Sequence, residues 1–212
     1  MVARRSEPAR LIVVADDYGY TRTYDEGILE AARAGALDAV SVMALRGGDP
    51  EPLLETGVEV GLHLEPLAEA PLEEQLQRFE ELFGRPPAHL DGHHHCHAAR
   101  GRPALTVARA GRRLGARVRS VSSRHRRLLR SLGVSTPDRL IGRLAEGEPA
   151  LPEELARALR SEPLPSGLTE WMVHPGHRDL RSGSSYDAGR EEDLRLLIEL
   201  AREPRFRELR KP

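Results

Sequence analysis

Short apolar runs alternate with longer amphipathic segments along most of this chain. The first run, residues 11–15, is continuous and rich in β-branched side chains, which is typical of a strand buried on both faces. Residues 24–34 follow with helical periodicity, and Gly35 is placed to end that helix. The same alternation predicts further strands over residues 39–45, 58–64, 89–91, 117–121 and 169–174. It predicts further helices between Asp49 and Gly57 and over residues 71–83, 103–114, 124–132, 153–160 and 188–202.

The regular alternation of strand and helix predicts a parallel sheet with helices outside it, closed into a barrel or nearly so. Six clear strands are fewer than the eight of a complete (β/α) barrel, and the signals weaken between residues 122 and 167. We therefore expect an irregular, incomplete (β/α) barrel with parallel strands. The length of 212 residues, without an internal repeat or a low-complexity linker, predicts a single domain over residues 1–212.

Composition excludes several classes of protein. The 32 basic and 33 acidic residues give a net charge of −1, so no global charge favours binding to nucleic acid or to a membrane surface. The single cysteine, Cys96, excludes a disulfide framework and a four-cysteine zinc site, and its side chain is expected to pack in the interior. The apolar run at residues 11–15 is far too short for a signal peptide or a membrane span. These features predict a cytoplasmic protein.

Charge is nevertheless segregated along the chain. Between Asp49 and Asp91 there are 11 acidic and 2 basic residues, whereas between Arg100 and Arg143 there are 13 basic and 1 acidic. A basic segment of this kind can bind an anion or a nucleic acid, or it can pair with the acidic segment. The basic segment lacks aromatic residues for base stacking, so we expect the two segments to neutralise each other, within the fold or across a homodimer contact.

Ionisable side chains follow several of the predicted strands. In parallel α/β folds the carboxyl ends of the strands lie on one face, and that face holds the active site. We therefore expect these side chains to meet at one rim of the barrel. They are Asp16 and Asp17 after the first strand, His63 at the end of the third, Asp91 and residues 93–97 after the fourth, and His174 after the last.

Each of these residues also has an ordinary structural role open to it. A strand-end aspartate often caps a turn, although two adjacent carboxylates cost energy unless a cation or a proton resolves them. His63 lies in an apolar run and could be a hydrogen-bonded core histidine. An extended segment would point His93, His95 and His97 to one side and His94 to the other, so the four cannot all be ligands of one ion.

Two imidazoles and one carboxylate with open positions form a well-known arrangement for a mononuclear divalent metal. Such a metal lowers the pKa of a water molecule and polarises a carbonyl group, which suits hydrolysis of an ester or an amide. A second carboxylate beside the ligand could take the proton of the water, and a further histidine could protonate a leaving amine.

Four sequence blocks together resemble those of the YdjC-type carbohydrate deacetylases, which are related to the chitooligosaccharide deacetylases and the hopanoid-associated deacetylase-like proteins. The blocks stand in the family order and run over most of the chain. They are Ala15-Asp16-Asp17-Tyr18-Gly19, Gly61-Leu62-His63-Leu64, His89-Leu90-Asp91-Gly92-His93-His94-His95-Cys96-His97 and His174-Pro175-Gly176.

The resemblance implies an irregular (β/α) barrel that holds one divalent ion, Mg²⁺ or Zn²⁺. By position in the blocks, Asp17, His63 and His93 are the implied metal ligands. Asp16 is the implied general base, and His174 is the implied general acid. The implied substrate is an N-acetylated sugar or a lipid-linked amino sugar, which is hydrolysed at its acetamide.

This chain also departs from the family pattern. The segment between His63 and Asp91 is short, and Gly92 stands where serine is commoner. Tyr186 and Arg190 match a pattern at the start of the last helix of the family, without an assigned role.

Two further hypotheses remain: an amidohydrolase-type barrel acting on a small cyclic amide, and a metal- or partner-binding protein without catalysis. The first usually places a His-x-His pair after its first strand, where this chain has Asp16 and Asp17.

Overall fold

The computed structural model describes residues 8–143 and 148–211. The single domain expected over residues 1–212 therefore includes residues 1–7, 144–147 and 212, which lie outside the described ranges. The strands are β1 Ala9–Tyr18, β2 Ala39–Val42, β3 Glu59–Leu64, β4 His89–Gly92, β5 Arg117–Val118, β6 Arg139–Gly142 and β7 Gly167–Val173. The helices are α1 Arg22–Arg33, α2 Pro50–Glu55, α3 Leu72–Phe83, α4 Arg102–Leu114, α5 Ser123–Ser131, α6 Glu153–Arg160, α7 Asp187–Leu200 and α8 Pro204–Leu209, with a 3₁₀ turn at His93–Ala98.

The strands form one sheet in the order β5-β4-β3-β2-β1-β7-β6, and every pairing in it is parallel. In a flat sheet β5 and β7 would lie five strand spacings apart, or about 24 Å. The Arg119 side chain, directly after β5, nevertheless reaches Glu170 on β7. The sheet is therefore curled into an incomplete barrel, which confirms the predicted fold class.

The edge strands β5 and β6 approach each other without pairing. The chain just before β6 lies beside β5 instead, because the backbone N–H of Val118 donates to the carbonyl of Ser135 at 2.9 Å. The Ser120 hydroxyl donates to the carbonyl of Pro137 at 3.0 Å. These two bonds join the barrel edges where a complete barrel would have an eighth strand.

The two faces of the sheet differ sharply in polarity. Alternate residues of β1, such as Leu11 and Val13, pack against the helices in the large hydrophobic core. The opposite face, inside the barrel, has only a small apolar cluster around Ile12 and Val14 among the described residues. The rest of that interior is occupied by buried polar side chains, namely Ser41, His63, His89, Asp91, Arg119 and Glu170. The sequence pattern of the strands thus places the hydrophobic core outside the barrel and the ionisable groups inside it.

Local signals explain several helix ends. The Thr21 hydroxyl caps α1 by accepting from the backbone N–H of Tyr24, and the Ser122 hydroxyl caps α5 in the same way. Gly84 and Gly115 end α3 and α4 in the left-handed conformation that glycine adopts at least cost. None of the described helices combines the length and apolar character needed to cross a bilayer.

Three sequence predictions need correction. Strand β6 was not predicted, because Arg139–Gly142 is a partly exposed edge strand without an apolar run. Several predicted strands extend too far, and β5 ends at Val118 rather than at residue 121. The segment after β4 is not extended: His94 and His95 have φ values of 48° and 57°, and His93–Ala98 forms a 3₁₀ turn. The expected alternation of the histidines is therefore wrong.

Candidate active site

The rim at the carboxyl ends of the strands contains a cavity of about 680 Å³. Asp16, Asp17, His63, His93 and His174 all line it, so the structure brings the five sequence-predicted site residues together. Four strand ends supply them, as expected for a parallel sheet whose strands finish on one face.

A β-bulge at the end of β1 places two adjacent carboxylates on the same side. Between the paired positions Ala15 and Tyr18, β1 advances by three residues while its partner β2 advances by only two. Within this bulge Asp17 has a φ of 73°, which is uncommon for a residue other than glycine. Neighbouring side chains of a regular strand point to opposite faces, so the bulge is what lets both Asp16 and Asp17 face the interior.

Asp17, His63 and His93 form a set of donors that fits a divalent metal. Asp17 Oδ1 lies 3.2 Å from His63 Nε2 and 3.1 Å from His93 Nδ1. One ligand atom from each residue lies within 4.8 Å of the others. Burial by itself would raise the pKa of Asp17, but hydrogen bonds from the two histidines and the charge of Arg190 hold it well below its usual range. Asp17 is therefore a carboxylate, the form in which it can bind a metal.

The other nitrogen of His63 is held by Asp91. His63 Nδ1 donates to Asp91 Oδ1 at 2.7 Å, and both side chains are buried. Burial would lower the pKa of His63, but the charges of Asp16 and Asp91 raise it to about 10. Without a metal ion the ring is therefore an imidazolium that donates from both nitrogens. A carboxylate on the outer nitrogen of a metal-binding histidine fixes the tautomer and the ring orientation, and Asp91 occupies that position.

A second set of donors, Asp16, His63 and Asp91, also lies within 4.8 Å. Arg119 already binds both oxygens of Asp16 and contacts Asp91, whereas Oδ1 of Asp17 faces the two histidines. This second set is also more enclosed, because all three of its members are buried, whereas His93 of the first set is half-buried. We therefore regard the set that includes Asp17 and His93 as the better metal centre.

Arg119 binds three carboxylates in the middle of the barrel. Its Nη1 and Nη2 donate to the two oxygens of Asp16 at 2.6 and 2.7 Å. Nη2 also lies 2.9 Å from Asp91 Oδ2, and Nε donates to Glu170. Burying several carboxylates together is unfavourable unless a cation compensates them. Arg119 supplies that cation and fixes the orientation of Asp16.

Arg190 holds the other carboxylate of the pair. Its Nη2 donates to Asp17 Oδ2 at 2.5 Å, which leaves Oδ1 directed toward the histidines. The guanidinium stacks on the Tyr24 ring, 3.7 Å from the ring centre. Helix α7 therefore positions a metal-ligand candidate on β1, and this gives Arg190 the structural role that its sequence pattern left open.

His174 follows β7 and faces the same cavity. Its backbone N–H donates to Asp193 Oδ2 at 3.0 Å, and its ring packs on the ring of Tyr186 at 4.8 Å between centres. Burial lowers the pKa of His174 to about 4, so the ring is neutral at pH 7. Its Nδ1 atom is buried and has no hydrogen-bond partner among the described residues.

The rest of the histidine cluster lies outside the candidate set of metal ligands. The 3₁₀ turn carries His97 into the interior, where its Nε2 donates to the backbone carbonyl of Arg119 at 3.1 Å. Cys96 is partly buried and packs against the hydrophobic core, and its thiol donates to the carbonyl of Leu64. A Cβ added at Gly92 would lie 2.8 Å from Cys96 Sγ, so the sulfur fills the space that a larger residue at position 92 would need.

The acidic and basic segments partly neutralise each other within the fold. Arg113 pairs with Glu73 at 2.9 Å on the surface, and Arg117 pairs with Glu59 at 2.6 Å. The buried contact of Arg119 with Asp91 joins the same two segments. The neutralising interpretation is thus confirmed for these pairs.

Sequence reasoning gave no role to several residues on which this site depends. Arg119 was counted only as part of a basic segment, and Asp91 was expected at the rim without an assigned role. One signal was available in the sequence. His89 and Asp91 lie two positions apart in one strand, and Glu59 and His63 lie four apart in another, so each pair shares a face of the sheet. A polar residue at every second position of a buried strand indicates a polar barrel interior.

Comparison with known proteins places this geometry in context. The chain matches the model of the YdjC-like proteins over residues 10–69 and 65–209. The carbohydrate deacetylase of Geobacillus stearothermophilus is 28% identical over 244 aligned residues, which cover 91% of this chain and 90% of that protein.

Two further relatives match over a shorter length. The carbohydrate deacetylase of Mus musculus is 31% identical over 137 residues, which cover 43% of this chain and 44% of the mouse protein. The chitooligosaccharide deacetylase of Serratia marcescens is 29% identical over 126 residues, which cover 41% of this chain and 50% of that protein. These matches span half or less of the length of each relative.

A solved structure shares the fold. The crystal structure of a candidate cellobiose-phosphate cleavage protein from Enterococcus faecalis V583 superposes with a TM-score of 0.71 at 22% identity. The superposition covers 94% of this chain and 96% of that one. The incomplete barrel is therefore an architecture that has been observed by crystallography.

The Arg119 contacts lead to a prediction for stability. Replacing Arg119 with Met leaves the carboxylates of Asp16, Asp91 and Glu170 buried without their cation. We expect the free energy of unfolding at pH 7 to fall by about 3–5 kcal/mol, measured by urea denaturation. Arg119 is one cause of the low pKa of Asp91, so Asp91 in the variant binds a proton more readily. The deficit relative to wild type should therefore shrink as the pH falls toward 4.

Arg113→Met is the matched control, because it removes the same side chain from an exposed ion pair with Glu73. Exposed pairs contribute about 0–1 kcal/mol, so this control should unfold almost as wild type does. Equal losses in the two variants would show that Arg119 does not compensate the buried carboxylates.

Proposed function

Because the chain belongs to the YdjC-like family, we propose that it is a metal-dependent hydrolase that removes acetyl groups from N-acetylated sugars. The observation that carries this proposal is the meeting of Asp17, His63 and His93 in one rim cavity, with Asp16 beside them. Two imidazoles and a carboxylate next to a second, non-ligating carboxylate provide both a metal centre and a base for hydrolysis.

Asp17, His63 and His93 would hold one divalent ion. This set of donors, two nitrogens and one oxygen, suits Zn²⁺ better than Mg²⁺, because imidazole is the softer ligand. When bound, the ion supplies a Lewis acid that lowers the pKa of a water molecule and polarises the carbonyl of the substrate. Asp91 holds His63 so that Nε2 faces Asp17 and His93, which is the orientation that a ligand role requires.

Asp16 would act as the general base. Both of its oxygens accept from Arg119, so the carboxylate is held in one orientation, and it lines the cavity where the substrate would bind. A carboxylate oxygen retains acceptor capacity beyond one hydrogen bond, so Asp16 can still accept a proton from the attacking water. Asp17, which is bound by Arg190 and faces both histidines, is the ligand of the pair.

His174 would protonate the leaving amine. An amine leaves poorly unless it is protonated, so amide hydrolysis needs an acid that an ester substrate would hardly require. The His174 ring is neutral in the free protein at pH 7, so it would take up its proton in the substrate complex. The reaction then balances on one water: its oxygen forms the new C–O bond of acetate as the C–N bond breaks, Asp16 takes one of its protons, and His174 gives a proton to the leaving nitrogen. Solvent then takes the proton from Asp16 and returns one to His174, and acetate and a protonated amine are released.

The choice of substrate rests on the relatives. The proteins from Geobacillus stearothermophilus and Mus musculus are named carbohydrate deacetylases, and the one from Serratia marcescens a chitooligosaccharide deacetylase. In this chain β3 and β4 are joined by α3 and short connections, without a long insertion over the cavity. We propose on this ground that the cleft takes a small or lipid-linked amino sugar rather than a long oligosaccharide.

Substitution of the two adjacent aspartates tests the proposal. We expect the wild-type protein with added Zn²⁺ to release acetate from N-acetylated mono- or disaccharides. Asp16→Asn should lose about 10²–10⁴-fold in rate, because it removes the base, while Zn²⁺ binding measured by calorimetry is retained. Asp17→Asn should instead weaken Zn²⁺ binding, because it removes a ligand.

Chelation followed by addition of Zn²⁺, Mg²⁺, Mn²⁺ or Co²⁺ should abolish and then restore acetate release. If the two variants exchange their behaviour, the roles assigned to Asp16 and Asp17 are reversed. If wild type releases no more acetate than Asp16→Asn, the proposal is wrong and a non-catalytic binding protein is favoured.

A further inference from the structure

A row of hydrogen-bonded side chains crosses the barrel interior, from the rim to the opposite end of the sheet. Beyond His63 and Asp91 it continues through side chains that the proposed reaction does not use. Asp91 Oδ2 accepts from the Ser41 hydroxyl at 2.7 Å. Ser41 Oγ lies 2.9 Å from His89 Nε2, and His89 Nδ1 lies 3.0 Å from Glu59 Oε1. Glu59 is the first residue of β3, so the row ends on the side away from the rim.

The middle of the row is buried, and its far end is exposed to solvent. Ser41, Asp91 and His89 are buried, with Ser41 fully inaccessible to solvent. The side chain of Glu59 is 39% exposed, and it also accepts from Arg117 at 2.6 Å. Ser41 on β2 reaches past β3 to Asp91 and His89 on β4, and His89 contacts Glu59 on the neighbouring strand β3.

Gly61 makes room for this row. On β3 it lies between Glu59 and His63 on the same face, and a Cβ added there would stand 2.3 Å from His89 Nε2. The imidazole of His89 therefore occupies the space that a side chain at position 61 would take. A glycine inside a strand often marks such a close approach.

The hydrogen bonds of the row run outward from His89 to an acceptor on either side of it. Ser41 has one hydroxyl proton and gives it to Asp91, so its oxygen is left to accept from His89 Nε2. His89 Nδ1 in turn donates to the carboxylate of Glu59. The hydrogen bond from His89, followed by the charge of Arg117, helps hold the pKa of Glu59 at about 2, so Glu59 stays a carboxylate.

We propose that Glu59, His89 and Ser41 are positioning residues that act through Asp91 on His63. Glu59 fixes the His89 ring, His89 fixes the Ser41 hydroxyl, and Ser41 directs its proton to Asp91. Asp91 is thereby held with Oδ1 on His63 Nδ1, so that His63 Nε2 faces Asp17 and His93. This inference rests on the proposed metal site, and it extends the support of one ligand across the whole barrel.

Zn²⁺ affinity, measured by calorimetry on the full chain, tests the row without any substrate. Partners of metal-binding histidines typically change affinity about 10–100-fold when lost. We expect Ser41→Ala to weaken Zn²⁺ binding about tenfold, because Asp91 loses the donor that orients it. Glu59→Gln should weaken binding less, on the order of threefold, because the Gln oxygen can still accept from His89.

The double variant distinguishes a connected row from separate contacts. Once Ser41→Ala has broken the connection, Glu59→Gln should have no further effect on Zn²⁺ affinity, so the two effects are not additive. Glu73→Gln is the matched control, since it removes the same charge from a surface pair with Arg113 and should bind Zn²⁺ as wild type does. In the Zn²⁺-loaded protein, the proton resonance of His63 Nδ1–H should move in Ser41→Ala and stay in place in Glu73→Gln.

The outcomes separate this inference from the proposed function. If wild type binds no Zn²⁺, the metal site and the row that serves it are both wrong. If wild type binds Zn²⁺ but Ser41→Ala and Glu59→Gln bind it equally well, the metal site stands and the row is overturned. Additive losses, or losses that follow the thermal stability of each variant without any shift of the His63 resonance, would also overturn it.

Discussion

The arrangement of the barrel interior depends on one cation, the buried guanidinium of Arg119. Three carboxylates from β1, β4 and β7 converge on it, and burying them together would be unfavourable without a compensating charge. Arg119 also needs the curl of the sheet, because only a curled sheet brings the end of β5 close to β7. The closure of the barrel and the pairing of Asp16 with Arg119 are therefore parts of one interaction.

The hydrophobic core lies outside the barrel and the polar side chains lie inside it, and this explains how a chain of this size can bury so many ionisable groups. The hydrophobic core lies between the sheet and the helices, where residues such as Leu62 and Trp171 are buried. The interior of the barrel is then free to hold polar side chains, provided that each has a partner. The bulge at Asp17 is one site of backbone strain, and its positive φ brings a second carboxylate to the rim.

Sequence reasoning predicted the parts of the site that depend only on strand order. Asp17, His63 and His93 follow three different strands, and parallel strands end on one face whatever their exact spacing. It missed Arg119, because the contact of β5 with β1 and β7 arises from the curl of the sheet, which periodicity along the chain does not encode. It missed β6 because a half-exposed edge strand has little hydrophobic pattern, and it gave the histidine segment the wrong conformation because two residues there adopt positive φ.

The central claim is that one divalent ion binds among Asp17, His63 and His93. The most direct measurement is anomalous X-ray diffraction from crystals of the wild-type protein grown with Zn²⁺, recorded on both sides of the zinc absorption edge. The account predicts one anomalous peak at the rim, in contact with Asp17, His63 and His93, while Arg119 remains between Asp16 and Asp91. A peak among Asp16, His63 and Asp91, or well-ordered rim residues without any peak, would contradict it.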